Sequence, residues 1–223
     1  FHVEHEFLPL WRRYTRALKQ RNALLKSRAR DAQLDAWDRE LAEAGEPLGR
    51  HRASYLEALQ PQFATLAAQF APGLGARSLD YLPGWRQEEL PLLDALLLAR
   101  DRDLAAGFTS VGPHRADWRI GFDAIPGRDA LSRGQAKLSA LAALLAQAEH
   151  HAVARGDWPV IALDDLASEL DRTHQRRVLG HLLAGGAQIL ITGTERLPAL
   201  AEFRAAVSRF HVEHDEIRAI ARA

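Results

Sequence analysis

Val160-Ile161-Ala162-Leu163-Asp164-Asp165-Leu166-Ala167-Ser168-Glu169-Leu170-Asp171 is the stretch on which the reading of this chain turns. Four apolar residues in a row, closed by two carboxylates, suit a short buried strand of a parallel sheet. An apolar strand followed by an acidic turn is common, so the acids alone decide little. Their neighbours decide more. Downstream, Arg172 to Leu183 reads as a polar helix, Gly185-Gly186 as its end, and Gln188 to Ile191 as a second apolar strand. Strand, helix, strand is an α/β unit, and ligands of such units gather at the carboxyl ends of the strands. Asp164 and Asp165 stand at that end. In phosphoryl transfer one such carboxylate helps hold Mg²⁺, and its neighbour orients or deprotonates the attacking water.

Upstream, Leu131-Ser132-Arg133-Gly134-Gln135 precedes a strongly helical run from Ala136 to Ala154. Ser132 can cap that helix, and Gly134 lets backbone amides approach an anion at the positive helix end. The plain structural reading is an ordinary capped helix after a turn. Further back, Trp118, Ile120 and Phe122 alternate with polar or small residues, which predicts a strand, with Pro126-Gly127 as the turn beyond it.

The first half is helical. Trp11, Tyr14, Leu18 and Leu25 form one stripe of a long helix, and Leu34, Trp37 and Leu41 continue it until Gly45-Glu46-Pro47 breaks the pattern. Tyr55, Leu59, Leu66 and Phe70 mark a second helix, interrupted by Pro61 and closed by Pro72-Gly73. The two stretches are expected to pair as an antiparallel hairpin. Ser78 to Leu82 reads as extended, and Glu88 to Ala106 as helical again.

With 223 residues, 47% hydrophobic and 26% charged, the chain can bury a real core. No apolar run approaches a membrane span of about 18 residues. The absence of cysteine excludes disulfides and thiolate chemistry and fits a reducing cytoplasm. The chain begins at Phe1 and has no methionine, so we read it as a portion of a longer protein. Net charge is zero, yet Arg12, Arg13, Arg16, Lys19, Arg21, Lys26, Arg28 and Arg30 follow one another without an acid. Arg12, Arg16, Lys19, Lys26 and Arg30 recur at helical spacing on one face, which makes them candidates for contacting DNA phosphates. The alternative is a solvated face paired with the acids between Asp31 and Glu43. Phe1-His2-Val3-Glu4-His5 recurs as Phe210-His211-Val212-Glu213-His214, read as two short strands in similar settings. Alternation sends His2 and His5 to opposite faces, so no bound transition metal is expected.

Three motifs now stand in order: Leu131 to Gln135, the acids with 28 residues between Gln135 and Asp164, and Ser168 to Asp171 starting three residues later. This order resembles the signature, Walker B and D-loop of ABC-class ATPases. Leu163 to Asp171 looks like the RecF version of the last two. Thr109-Ser110-Val111-Gly112-Pro113-His114-Arg115-Ala116-Asp117 resembles another segment diagnostic of the RecF family, and Phe7 to Trp11 through Ala17 to Asn22 is similar to the start of its helical arm.

The resemblance implies the C-terminal portion of a RecF-type chain, with an SMC-like, P-loop NTPase head. The fold class is then α/β with a mostly helical arm, residues 1–108, and the C-terminal lobe of the head, residues 109–223. It implies a weak ATPase of DNA repair, replication, recombination and the SOS response, which dimerises on ATP, binds gapped DNA and helps load RecA together with RecO and RecR. Carried over by position, Asp164 is the Mg²⁺-linked acid, through water, and Asp165 the catalytic carboxylate. Ser132, Gly134 and Gln135 contact the γ-phosphate of ATP held by the other subunit, and Asp171 crosses the dimer interface. The chain departs from the pattern at Arg133, where transporters of the class carry glycine, and at Thr192, where many relatives carry a switch histidine. Another head of the SMC or Rad50 type would need a far longer coiled coil. A non-enzymatic α/β scaffold would show no nucleotide-driven dimerisation.

A P-loop needs Gly-Lys before Ser or Thr, and the three lysines are Lys19, Lys26 and Lys137, none after a glycine. The chain alone is therefore expected not to bind Mg-ATP tightly. Calorimetry on the 223 residues should detect no micromolar site, and a one-to-one micromolar isotherm would misplace the phosphate-gripping element.

Overall fold

A computed structural model describes residues 4–28, 31–123, 131–195, 197–203, 207–214 and 216–220. It divides into two compact units, 1–158 and 159–223. This division by packing differs from the split at 108/109 drawn from sequence motifs, because the helix after Ser132 packs within the first unit.

In the first unit, α1 (Phe7–Lys26) and α2 (Asp31–Phe70) form an antiparallel hairpin, but not the expected one, because Leu34 to Leu41 and Tyr55 to Phe70 belong to the same helix. The expected break at Gly45-Glu46-Pro47 is absent. α2 runs unbroken for 40 residues with Pro47 and Pro61 inside it, and the reversal comes before Asp31. There Ser27 ends α1 and Arg28 adopts a left-handed φ of 50°. An interior proline costs a helix about 3 kcal/mol, and tertiary packing offsets it here. A Cβ on Gly45 would lie 3.0 Å from the Tyr14 ring and 3.3 Å from Pro113, so this glycine admits neighbours rather than ending the helix. Glu46 accepts the backbone N–H of Leu92 at 2.7 Å, capping α3 (Leu92–Leu98) from outside. Pro47 sits next to fully buried Leu48.

α4 (Arg100–Ala106) follows α3 after a break at Ala99, so the single helix expected over 88–106 is two short ones. β1 (Ala76–Leu82) and β2 (Asp117–Phe122) pair antiparallel, with Tyr81 opposite Trp118. α5 (Arg133–Arg155) packs on α2. The core between the arm helices holds Tyr14, Ala17, Leu41, Leu48, Leu92 and Leu96.

A charged cluster lies within this core. Arg21, Asp38 and Asp103 are each fully buried. Arg21 Nε donates to Asp38 at 2.5 Å, and its Nη1 donates to Asp103 at 2.7 Å and to Thr109 Oγ1 at 3.0 Å. Arg100 donates to the second Asp38 oxygen at 2.5 Å and to Asp35 at 2.6 Å. Asn22 Oδ1 accepts both the backbone N–H and the hydroxyl of Thr109. His114 is held at both nitrogens, by Tyr14 Oη at 2.7 Å and by the Thr109 carbonyl at 2.9 Å. The carbonyl can only accept, so Nε2 carries the proton and Tyr14 donates to Nδ1. Burial holds His114 below its ordinary range and pushes the Tyr14 hydroxyl up. Gly112, at φ 121°, leaves room for the Tyr14 hydroxyl, which an added Cβ would meet at 2.8 Å.

In the second unit, β3 (Ile161–Leu163) pairs parallel with β4 (Ile189–Ile191) through the crossover of α6 (Leu166–Glu169) and α7 (Arg172–Gly185). β5 (Arg209–Glu213) and β6 (Glu216–Ile220) form a hairpin exposed along its whole length. β5 is the strand expected from Phe210-His211-Val212-Glu213. Of the first copy of that repeat, Phe1 to Val3 fall outside the described residues, as does the Pro126-Gly127 turn, while Glu4 and His5 are not in a strand. Among the described residues no helix is long and apolar enough to cross a membrane.

The buried cluster yields a stability prediction. Arg21→Met leaves two carboxylates buried without their main cation, which costs about 3–5 kcal/mol. Adding Asp38→Asn and Asp103→Asn should recover much of it. Urea unfolding followed by circular dichroism measures both, and an unchanged midpoint for Arg21→Met would refute the assignment.

Candidate functional site

β3 delivers Asp164 and Asp165 at its carboxyl end, and β4 delivers Thr192 beside them. Parallel pairing sets this register: Leu163 is opposite Ile191, and the Thr192 N–H donates to the Leu163 carbonyl at 3.0 Å. Thr192 Oγ1 donates to Asp164 Oδ1 and accepts from the Asp165 N–H at 3.2 Å. One hydroxyl thereby ties both acids to the neighbouring strand. Asp165 adopts φ 47° and ψ 42°, a left-handed conformation rare outside glycine, and such conformations cluster at working sites. Ser168 Oγ donates to Asp165 Oδ2, while Asp165 Oδ1 is buried without a hydrogen bond among the described residues. A carboxylate oxygen without a partner among the described residues remains available to accept a hydrogen bond. Asp164 is exposed and keeps a second oxygen for a hard cation or its water.

Asp171, the remaining acid of the stretch, caps α7. Its Oδ1 accepts the His174 N–H at 3.0 Å and its Oδ2 contacts His174 Nδ1 at 2.7 Å. The backbone N–H of His174, foremost, holds its pKa below the usual carboxylate range. Gln175 donates to the carbonyls of Ala167 and Leu170, pinning the loop between α6 and α7. This bracing glutamine is absent from the reading of the sequence, although its position one turn into the helix after Asp171 was the available signal.

In the first unit, Ser132 caps α5 as expected, through a reciprocal capping box. Gln135 N donates to Ser132 Oγ at 3.3 Å, and Ser132 N donates to Gln135 Oε1 at 2.8 Å. Gln135 is therefore engaged with the cap itself. Ser132 and Gly134 are exposed, and an added Cβ on Gly134 would meet nothing within 4 Å. Among the described residues nothing covers Gly134, at the positive dipole end of this 23-residue helix.

The cations of α1 divide. Arg13 pairs with Glu40 at 2.7 Å and Glu43 at 2.6 Å, and Arg21 is buried, so those two follow the acid-pairing alternative. Arg12, Arg16, Lys19 and Lys26 are all exposed on the side turned away from Tyr14, Ala17, Arg21 and Leu25. Arg30 lies outside the described residues.

No family model matches the chain. It is 66% identical over 220 residues to the DNA replication and repair protein RecF of Stenotrophomonas maltophilia, with 99% of this chain and 60% of that protein covered. The protein of the same name from Edwardsiella ictaluri is 38% identical over 221 residues, again covered to 60%. A solved structure described as the recombination mediator protein RecF-ATPrS in the RecFOR pathway superposes with a TM-score of 0.80 at 24% identity, over 98% of this chain and 60% of that one. That likeness shows the fold. The chain spans about three-fifths of the length of the curated relatives it matches.

Proposed function

Because the chain belongs to the RecF family, we propose that it supplies the signature, Walker B and D-loop parts of an ATP-controlled DNA-repair protein. The observation that carries this reading is the end of β3, where Thr192 ties Asp164 and Asp165 together and Asp165 Oδ1 is buried without a hydrogen bond among the described residues. Asp165 is the group that accepts a proton from, or orients, an attacking water. Asp164 fits a water-linked Mg²⁺, which when bound would neutralise phosphate charge. Thr192 holds the two carboxylates apart in role, since it donates to one and accepts from the amide of the other. The α5 N-terminus, with Ser132, Gly134 and Gln135, receives the γ-phosphate of ATP bound by a second subunit. Asp171 meets that subunit through the surface it presents while capping α7. The functional division stays at 108/109, with arm and lobe contributing DNA and nucleotide contacts respectively. RecR, RecO and RecA are the partners expected on this reading, and gapped DNA the substrate.

In the full-length protein, Asp165→Asn should leave ATP binding and dimerisation intact while slowing hydrolysis, since an amide accepts no proton. Ser132→Arg should abolish ATP-driven dimerisation by filling the anion site. Light scattering with and without ATP reads dimerisation and phosphate release reads hydrolysis, and normal dimerisation of the Ser132→Arg variant would sink the signature assignment.

For DNA, replacing Arg12, Arg16 and Lys19 together by glutamine should weaken binding evenly across sequences. The slope of log affinity against log salt should fall by up to about three units. An unchanged slope assigns these cations to other contacts.

A further inference from the structure

The basic stripe of α1 ends beside an exposed aromatic ring. Gly107, left-handed at φ 75°, closes α4 and turns the chain so that Phe108 projects, 43% exposed. The stem of Lys26 passes this turn, where a Cβ on Gly107 would meet its Cγ at 3.6 Å. The guanidinium of Arg115 lies over the Phe108 ring, 5.2 Å from its centre. Arg102 is held on Ser110 Oγ, two residues further on, at 2.7 Å. One exposed cation, Arg115, thus lies over the exposed ring, and two more, Lys26 and Arg102, sit against the flanking residues Gly107 and Ser110. The ring's own segment is fixed from below, because Thr109 is buried on Arg21 and Asn22.

Leaving a phenylalanine half in water costs apolar burial, and setting it among cations suits an anionic partner with flat apolar faces. Single-stranded nucleic acid has both: phosphates for the cations, and bases that stack on aromatic rings and guanidinium planes. A duplex hides its base faces and gains nothing from the ring. We propose that Phe108 and Arg115 form a stacking site for an unpaired base of single-stranded DNA, continuing the phosphate track of Arg12, Arg16, Lys19 and Lys26. The proposal rests on the reading of that track as a DNA-binding surface. It adds a means of telling single strand from duplex, which the track alone lacks, since phosphate contacts are common to both.

The test uses the full-length protein with a labelled single-stranded oligonucleotide and the matching duplex, each titrated at several salt concentrations. Phe108→Leu keeps an apolar side chain but removes the π face, and Phe108→Trp keeps the face. Base stacking on an aromatic residue predicts that Phe108→Leu weakens single-strand binding by between about 5- and about 150-fold. Duplex affinity and both salt slopes should stay unchanged, and Phe108→Trp should bind single strands at least as well as the parent. Equal loss on both DNA forms makes the ring a packing or protein-docking surface and overturns the proposal. So does wild-type single-strand affinity in Phe108→Leu. Failure of the underlying track shows elsewhere, as an unchanged salt slope in the variant with Arg12, Arg16 and Lys19 replaced.

Discussion

The first unit depends on a single buried guanidinium. Arg21 is fully enclosed, and no apolar environment tolerates such a charge without partners. Its partners come from three other places in the chain: Asp38 on α2, Asp103 on α4 and Thr109 in the segment beyond. Satisfying one residue therefore fixes the rotation of α1, the axial position of α2 and the path of residues 109–115 together. Such a cluster contributes little net stability compared with an apolar core of the same volume. Its contribution is selective, because any slip of α1 by one residue takes Arg21 from Asp103 and leaves Asp38 to Arg100. The Nη2 amino group, with its two N–H donors, remains buried without a hydrogen bond among the described residues, a cost the enclosure carries.

A comparable economy operates in the second unit with a hydroxyl instead of a charge. Thr192 donates to Asp164 and accepts from the Asp165 amide, so the two strand ends cannot separate without losing both bonds. The left-handed turn at Asp165 is the local consequence. Turning the chain there lets one oxygen bond Ser168 while the other is buried without a hydrogen bond among the described residues. A histidine at position 192 could bond one acid but could not donate and accept through a single atom. Thr192 thus has a definite structural use at this strand end.

The legible parts of the sequence were those governed by short-range rules. Strand–acid–helix–strand, the Ser132 cap and the alternation of Trp118, Ile120 and Phe122 all appear where pattern placed them. The errors came where tertiary packing overrides local preference. Gly45-Glu46-Pro47 has the composition of a helix end, yet Gly45 admits Tyr14, Glu46 caps another helix, and α2 continues through Pro47. Nothing within those three residues announces the partners that make this work. Arg21 was a different kind of miss. It falls seven residues after Tyr14 and four before Leu25, squarely in the apolar stripe, and that position was the signal that it would be buried rather than join the basic field.

The same helix therefore sorts its cations by angle. Those on the stripe side meet acids: Arg21 in the core and Arg13 at its margin. Those on the far side, Arg12, Arg16, Lys19 and Lys26, face solvent. Charge count alone cannot make this distinction, because eight cations in sequence give the same sum whichever way they point. Field strength at the surface depends on the outward subset, and it is the subset spaced by four, three and seven residues along one face. A long polyanion lying along α1 would meet each of them in turn, while the Arg21 cluster prevents the helix from rolling to expose a different set. The buried charges and the exposed ones are thus two halves of one constraint: the first group determines which way the second group points.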